Sequence, residues 1–195
     1  MANLSDLILS RRTIRQFARR PVERRILHKI VNAARLAPSA ANLQPLEFVA
    51  VDDEAKRRSV LSLLKWAAYI APAGDPRPGN EPAAYVAVLV NSAVKEKMYE
   101  YDVGAAQMSM ILSAWEEGVA SCWILSVDKP ELARLLDVRA PYSIDSVLAL
   151  GYPAEKSVTE DYLDSPKYWK DDSGLFHVPK RRLEKILHFN SFGGR

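Results

Sequence analysis

Two rhythms of apolar residues run along the chain. Leu4, Leu7 and Ile8 recur at helical spacing beside Ser5 and Asp6, which predicts a short opening helix. Thr13 to Phe17 reads as a connection or short extended piece. Pro21-Val22-Glu23 opens a second helix, with Ile26, Leu27, Ile30, Val31 and Ala34 on one stripe and Arg24, Arg25, His28, Lys29 and Arg35 off it. It must stop before Pro38, because a residue preceding proline disfavours the α region. Leu46 to Asp52 is the first predicted strand. Asp53 to Ala71 is read as one helix burying Val60, Leu61, Leu64, Ala67 and Ala68. Pro72 to Pro82 holds four prolines and two glycines, and is expected to be irregular, either a lid or a surface loop.

The second half continues the alternation. Ala84 to Val90 is a nearly continuous apolar run, suited to a central strand buried on both faces. Asp102 to Trp115 has no wide polar face, and its small residues Gly104, Ala105, Ala106, Ser109 and Ser113 allow close packing, so it belongs in a core or at a subunit interface. Gly118 is placed to end it as a left-handed cap. Val119 to Leu125 is a third strand, Asp128 to Leu136 a short helix with Pro130 in its first turn, and Ser143 to Leu150 a fourth strand, ended by Gly151-Tyr152-Pro153. From Ala154 onward the chain is polar and aromatic, with a last helix expected near Arg181 to Leu187. The whole reads as a single α+β domain over 1–195, with 154–195 an extension that wraps the core or a partner subunit.

Composition narrows the setting. The chain has 195 residues, 48% hydrophobic, which suits one domain with a real core. A net charge of +3 is too mild to demand a nucleic-acid partner. The single cysteine, Cys122, leaves no internal disulfide framework, so a reducing, cytoplasmic setting is expected. Neither a signal peptide nor a membrane span is recognisable in the sequence.

Two stretches carry unusual chemistry. Ser10-Arg11-Arg12-Thr13-Ile14-Arg15-Gln16-Phe17 packs three guanidiniums and two hydroxyls into its first six residues, while Ile14 and Phe17 should pin it to a core. Guanidinium forks match a phosphate dianion, although a solvated basic turn would look similar. Pro38-Ser39-Ala40-Ala41-Asn42-Leu43-Gln44-Pro45 sets two carboxamides and a hydroxyl among small residues, which suits the edge of a heterocycle or, equally, ordinary turn chemistry. Nucleophile elbows, His-Glu-x-x-His, Cys-x-x-Cys, Walker and Gly-x-Gly-x-x-Gly patterns are all missing. If the protein is an enzyme, a cofactor must carry the chemistry. Cys122, inside an apolar run, reads as a core thiol.

These two stretches, in this order, resemble the FMN-dependent nitroreductase family, and the likeness runs on through the helix around Asp102 to Trp115, Gly118 to Ile124, Gly151-Tyr152-Pro153 and Pro179-Lys180-Arg181-Arg182. The resemblance implies a central, mainly antiparallel sheet flanked by helices, in an intertwined homodimer with FMN at the subunit interface. It implies phosphate and ribityl contacts from Arg11, Arg12, Thr13 and Arg15, flavin contacts from Pro38, Ser39, Ala40, Asn42 and Gln44 of the other subunit, and a return to the phosphate by Lys180 and Arg182. A backbone N–H near the flavin N5 is implied within Cys122, Trp123 and Ile124. The implied reaction is ping-pong hydride transfer from NADH or NADPH, through the flavin, to nitroaromatics, quinones or similar acceptors. A specialised same-fold enzyme (dehalogenating or flavin-modifying) and a non-catalytic flavin-binding or nucleic-acid-binding protein are the alternatives.

Overall fold

A computed structural model describes residues 3–162 and 164–194. Backbone contacts divide it into two units, one up to Ala154 and one from Glu155 onward.

In the first unit, α1 (Leu4–Ser10), α2 (Arg24–Arg35), β1 (Leu46–Val51), α3 (Glu54–Ser62), β2 (Ala84–Asn91), α4 (Glu100–Glu116), β3 (Ala120–Ile124), α5 (Lys129–Leu135) and β4 (Tyr142–Gly151) follow in chain order. The sheet runs β1-β2-β4-β3, and every neighbouring pair is antiparallel. The stripe expected on α2 is the stripe that packs: Ile26, Leu27, Ile30 and Ala34 are buried. They join Val103, Ala106 and Met110 of α4 against Ala84, Val86, Val88 and Val90 of β2 and Leu148 and Leu150 of β4. Each fully buried Leu, Ile or Val contributes about 1.5–3 kcal/mol from area removed from water. The residues of opposite parity, Tyr85, Ala87, Val147 and Ala149, are buried too, and α5 packs against β4 and α3 against α5. A sheet covered on both faces is what the unbroken apolar run of β2 requires.

Two helical expectations fail. Asp53 to Ala71 is not one helix: α3 ends at Ser62. Beyond it Leu64 bridges Val127, the Lys65 N–H donates to the Ser126 carbonyl, and the Asp128 N–H to that of Leu63. Pairing with the segment after β3 captures backbone groups that a helix would otherwise use, and Ala67 turns to φ 31 before a 3-10 turn at Ala68–Ile70. Trp66 is buried where the helical stripe expected Ala68, which is exposed. Gly118, at φ 71, caps α4 as expected.

The second unit holds β5 (Ser157–Asp161), β6 (Trp169–Lys170) and β7 (Phe176–Lys180) in the order β5-β7-β6. Phe176 is its buried residue, against the Tyr168 ring at 5.4 Å. The helix expected over Arg181 to Leu187 is only a 3-10 turn at Leu183–Lys185. Leu183, Ile186 and Leu187 are all exposed, so no buried apolar stripe stabilises a longer one.

Candidate functional site

The arginine strip begins where α1 ends. The Arg12 Nη1 donates to the carbonyls of Leu9 and Arg11, each at 2.7 Å, satisfying a carbonyl that the helix end leaves open. Thr13 then forms a parallel bridge with Ser121 of β3, and the Ile14 N–H donates to the Ser121 carbonyl at 3.0 Å. Ile14 and Phe17 are buried, so the strip is pinned as its apolar residues predict. Arg11, Arg12, Thr13 and Arg15 stay half-buried between them. Burial first, and the adjacent Arg12 guanidinium second, hold the Arg11 pKa below its ordinary value. Two crowded, partly desolvated cations form a place where a dianion would relieve the repulsion.

The bridge also fixes the parity of β3. Along a strand, consecutive residues point their N–H and C=O groups to opposite edges. Because the Ser121 carbonyl faces the strip, the Trp123 backbone faces that same outer edge, while those of Cys122 and Ile124 face β4, with which they pair at Ala149 and Val147. The Trp123 indole N–H is buried without a hydrogen-bond acceptor among the described residues. Cys122 is buried, as a core thiol should be.

The loop after α2 is held from a different side. The Ala40 N–H donates to Asp102 Oδ1 at 3.0 Å, and Asp102 Oδ2 lies 2.7 Å from Lys95 Nζ. Both side chains of that ion pair are nearly buried, at 10% and 4% exposure for Lys95 and Asp102. The Gln44 N–H donates to Ser39 Oγ, closing the loop on itself. Ala41, Asn42 and Gln44 all have positive φ, at 51, 54 and 50°. Three such non-glycine residues in a row of four store strain of a kind that gathers at ligand-binding segments. Ala40, Asn42 and Gln44 are exposed, and Pro38, Ser39 and Gln44 line a cavity of about 400 Å³ floored by Asp102 and Ala106.

Sequence reasoning missed the anchors of this architecture. Asp102 looked like one more residue of an apolar helix, and Lys95 drew no reading at all. Gln16 was passed over as well. Its amide takes the Arg77 N–H and donates to the Asp75 carbonyl, while Asn80 exchanges two hydrogen bonds with the Phe17 backbone. The segment Pro72 to Pro82 is therefore stitched to the strip, as a fixed surface loop. Lys180 and Arg182 lie in the second unit, Lys180 at the end of β7 and Arg182 paired with Asp161 at 2.8 Å.

Known proteins share this architecture. A protein of Archaeoglobus fulgidus, named provisionally as an NADH dehydrogenase/NAD(P)H nitroreductase, is 29% identical over 165 residues, covering 80% of this chain and 88% of its own. The 5,6-dimethylbenzimidazole synthase of Rhodospirillum rubrum is 26% identical over 175 residues, 78% of this chain and 83% of its own. Among solved structures, an FMN-dependent nitroreductase from Clostridium difficile superposes with a TM-score of 0.68 at 25% identity, over 96% of this chain and 99% of that one. The sequence profile described as the Nitroreductase family matches residues 8–152, a span that includes the arginine strip, the strained loop and β3. The chain belongs to the nitroreductase family of oxidoreductases.

Proposed function

We propose that the protein is an FMN-dependent NAD(P)H oxidoreductase that reduces nitroaromatics, quinones or similar electron-poor acceptors by a ping-pong mechanism. The observation that carries this reading is the half-buried Arg11-Arg12 pair, held beside the outer edge of β3 by the Thr13–Ser121 bridge. FMN, when bound, supplies the two-electron chemistry by taking hydride from the nicotinamide and passing it to the acceptor. Arg11, Arg12 and Arg15 bind its phosphate and Thr13 the ribityl chain. Trp123 is the residue of Cys122, Trp123 and Ile124 whose backbone N–H is free to face the flavin N5, since its neighbours' N–H groups are directed to β4. Pro38, Ser39, Ala40, Asn42 and Gln44 position the flavin ring, with the strained loop held in shape by Asp102. Lys180 and Arg182 are cofactor-binding residues of the second unit in this reading.

The same reading makes the protein a homodimer whose partner supplies that loop, with the segment from Ala154 onward wrapping the core or the partner. Its support is the apolar side chains left exposed on two helices in contact, Leu4, Ile8 and Leu9 of α1 and Tyr101 and Met108 of α4. Apolar groups on neighbouring helices rarely face water together in a monomer. No helix among the described residues is long and apolar enough to cross a membrane.

Denaturing release and chromatography of the bound flavin tests the proposal: FMN supports it, whereas FAD or no flavin removes it. Anaerobic bleaching by NADH or NADPH then identifies the donor. The likeness to a 5,6-dimethylbenzimidazole synthase favours a second reading, in which reduced flavin is itself consumed. Aerobic incubation with reductant separates the two, because only the second destroys flavin in proportion to turnover.

A further inference from the structure

A recess of about 700 Å³ opens in the first unit, and it shares no residue with the cofactor set named above. Arg19 and Arg20 at the end of the strip, Arg57 and Arg58 of α3, and the segment Pro78 to Ala83 line it, with Tyr85 of β2. Four arginines face two carboxylates, Glu54 and Glu81. Arg58 is paired with Glu54. Glu81 accepts the Gly79 N–H at 2.9 Å and lies in the field of Arg19 and Arg57, which leaves positive charge in excess. Arg57 is braced at the rim, donating to the carbonyls of Asp52 and Pro82. Arg19 is steadied by the Gly79 carbonyl and Arg20 by the Tyr152 ring, 3.7 Å below its guanidinium.

Tyr85 is the informative residue. It is 1% exposed, yet its hydroxyl has no hydrogen-bond partner among the described residues. Leaving a buried hydroxyl unsatisfied is costly, so a folded protein normally gives it a partner. Burial, reinforced by Glu81 and opposed by Arg57, raises the Tyr85 pKa, so the group stays protonated and is a donor. Pro21, Leu61, Pro82 and Ala83 give the recess apolar walls.

We propose that this recess binds a small organic molecule through its oxyanion, a carboxylate or a phosphate monoester, which accepts the Tyr85 O–H and is neutralised by Arg57 and Arg19. The apolar walls take the body of the ligand. Anion binding here is separate from the cofactor reading and stands whether or not that reading does.

The test uses the full chain as purified, titrated by calorimetry with inorganic phosphate and with benzoate at millimolar concentrations. The variants are Tyr85→Phe, which keeps the ring, and Arg19→Ala, an exposed arginine whose loss leaves the core untouched. Saturable binding of either anion, weakened about tenfold in each variant, supports the proposal, and the preferred anion names the oxyanion class. Tyr85→Phe should also melt no lower than the parent in the absence of anion, because the deleted hydroxyl has no partner to lose. Absence of saturable binding by both anions overturns the proposal, as does binding that neither variant changes. If Tyr85→Phe fails to fold, Arg19→Ala alone decides.

Discussion

Replacing Asp102 by Ala should be among the most damaging single changes in the chain. The carboxylate is 4% exposed and does three things: it pairs with Lys95 at 2.7 Å, accepts the Ala40 N–H at 3.0 Å, and places a negative charge in the first turn of α4. Asp102→Ala leaves a nearly buried ammonium uncompensated and strands a backbone donor. Breaking one side of such a buried pair costs about 3–5 kcal/mol. At about 2–4 °C per kcal/mol for a chain of this size, the melting temperature should fall by roughly 6–20 °C. Asp102→Asn keeps an acceptor for Ala40 and should fall between parent and Ala. Combining Asp102→Asn with Lys95→Met removes both charges and should recover much of the loss, giving a coupling energy above about 1 kcal/mol in the four-member cycle. Because Asp102 holds the strained loop, the variants should lose flavin affinity in the same order. Thermal melts and flavin titration read both effects. A fall of less than about 2 °C for Asp102→Ala, or additive effects across the cycle, would refute the reasoning.

Other outcomes follow from single contacts. Arg12→Ala should weaken FMN binding about tenfold or more in titrations of the apo-protein, while Cys122→Ala keeps most nicotinamide-dependent reduction of a quinone, since the buried thiol takes no part. Gly151→Ala would set a methyl group 2.8 Å from Phe17 Cδ1, and this overpacking should cost about 1–3 kcal/mol, read as a lower denaturant midpoint. His177 lies between Asp171 and Glu160, at 3.2 and 3.0 Å, stacked on Trp169, and Asp171 first and Glu160 after it raise its pKa above 6.5. A raised histidine pKa stabilises the fold fully below 6.5, and the gain is lost as pH rises through the higher folded value. Asp171, held down to about 2 by Ser173 and then by His177, contributes fully above 3.8 and loses its contribution as pH falls through that folded value. Amide protection in β7, taken relative to the intrinsic exchange rate at each pH, should therefore be greatest between those limits. Loss of the decline above 6.5 in His177→Phe, with the acid limb kept by Ser173 and Asp171, would identify the histidine as the source of the alkaline loss.

What the sequence discloses depends on how local the cause is. The stripe on α2, the proline before which it must stop, and the glycine that caps α4 are local statements, and each appears in the structure where the pattern places it. The doubly buried β2 is also local, because a run of apolar residues longer than one face can use requires cover on both. The misread segment after α3 shows the limit. Leu64 and Ala67 continue the helical spacing from Val60 and both are buried, but the backbone between them pairs with Ser126 and Val127, more than sixty positions away. Side-chain periodicity reports which residues are buried, not which backbone groups are already taken.

The candidate site divides along the same line. The guanidiniums and amides proposed for it lie in adjacent letters, which is why a phosphate-site reading could be made from the sequence at all. Its supports could not. Asp102 reaches Ala40 across 62 positions and Gln16 reaches Arg77 across 61, and neither spacing leaves a mark in a single sequence. The consequence is functional as well as descriptive. The same three hydrogen-bonding residues, Asp102, Gln16 and Asn80, decide whether the loops stand in one conformation before any ligand arrives. A loop that is already in shape spares its ligand the cost of ordering it, about 0.5–1.5 kcal/mol for each side chain immobilised. On the proposed reading, affinity therefore depends partly on residues outside the cofactor set.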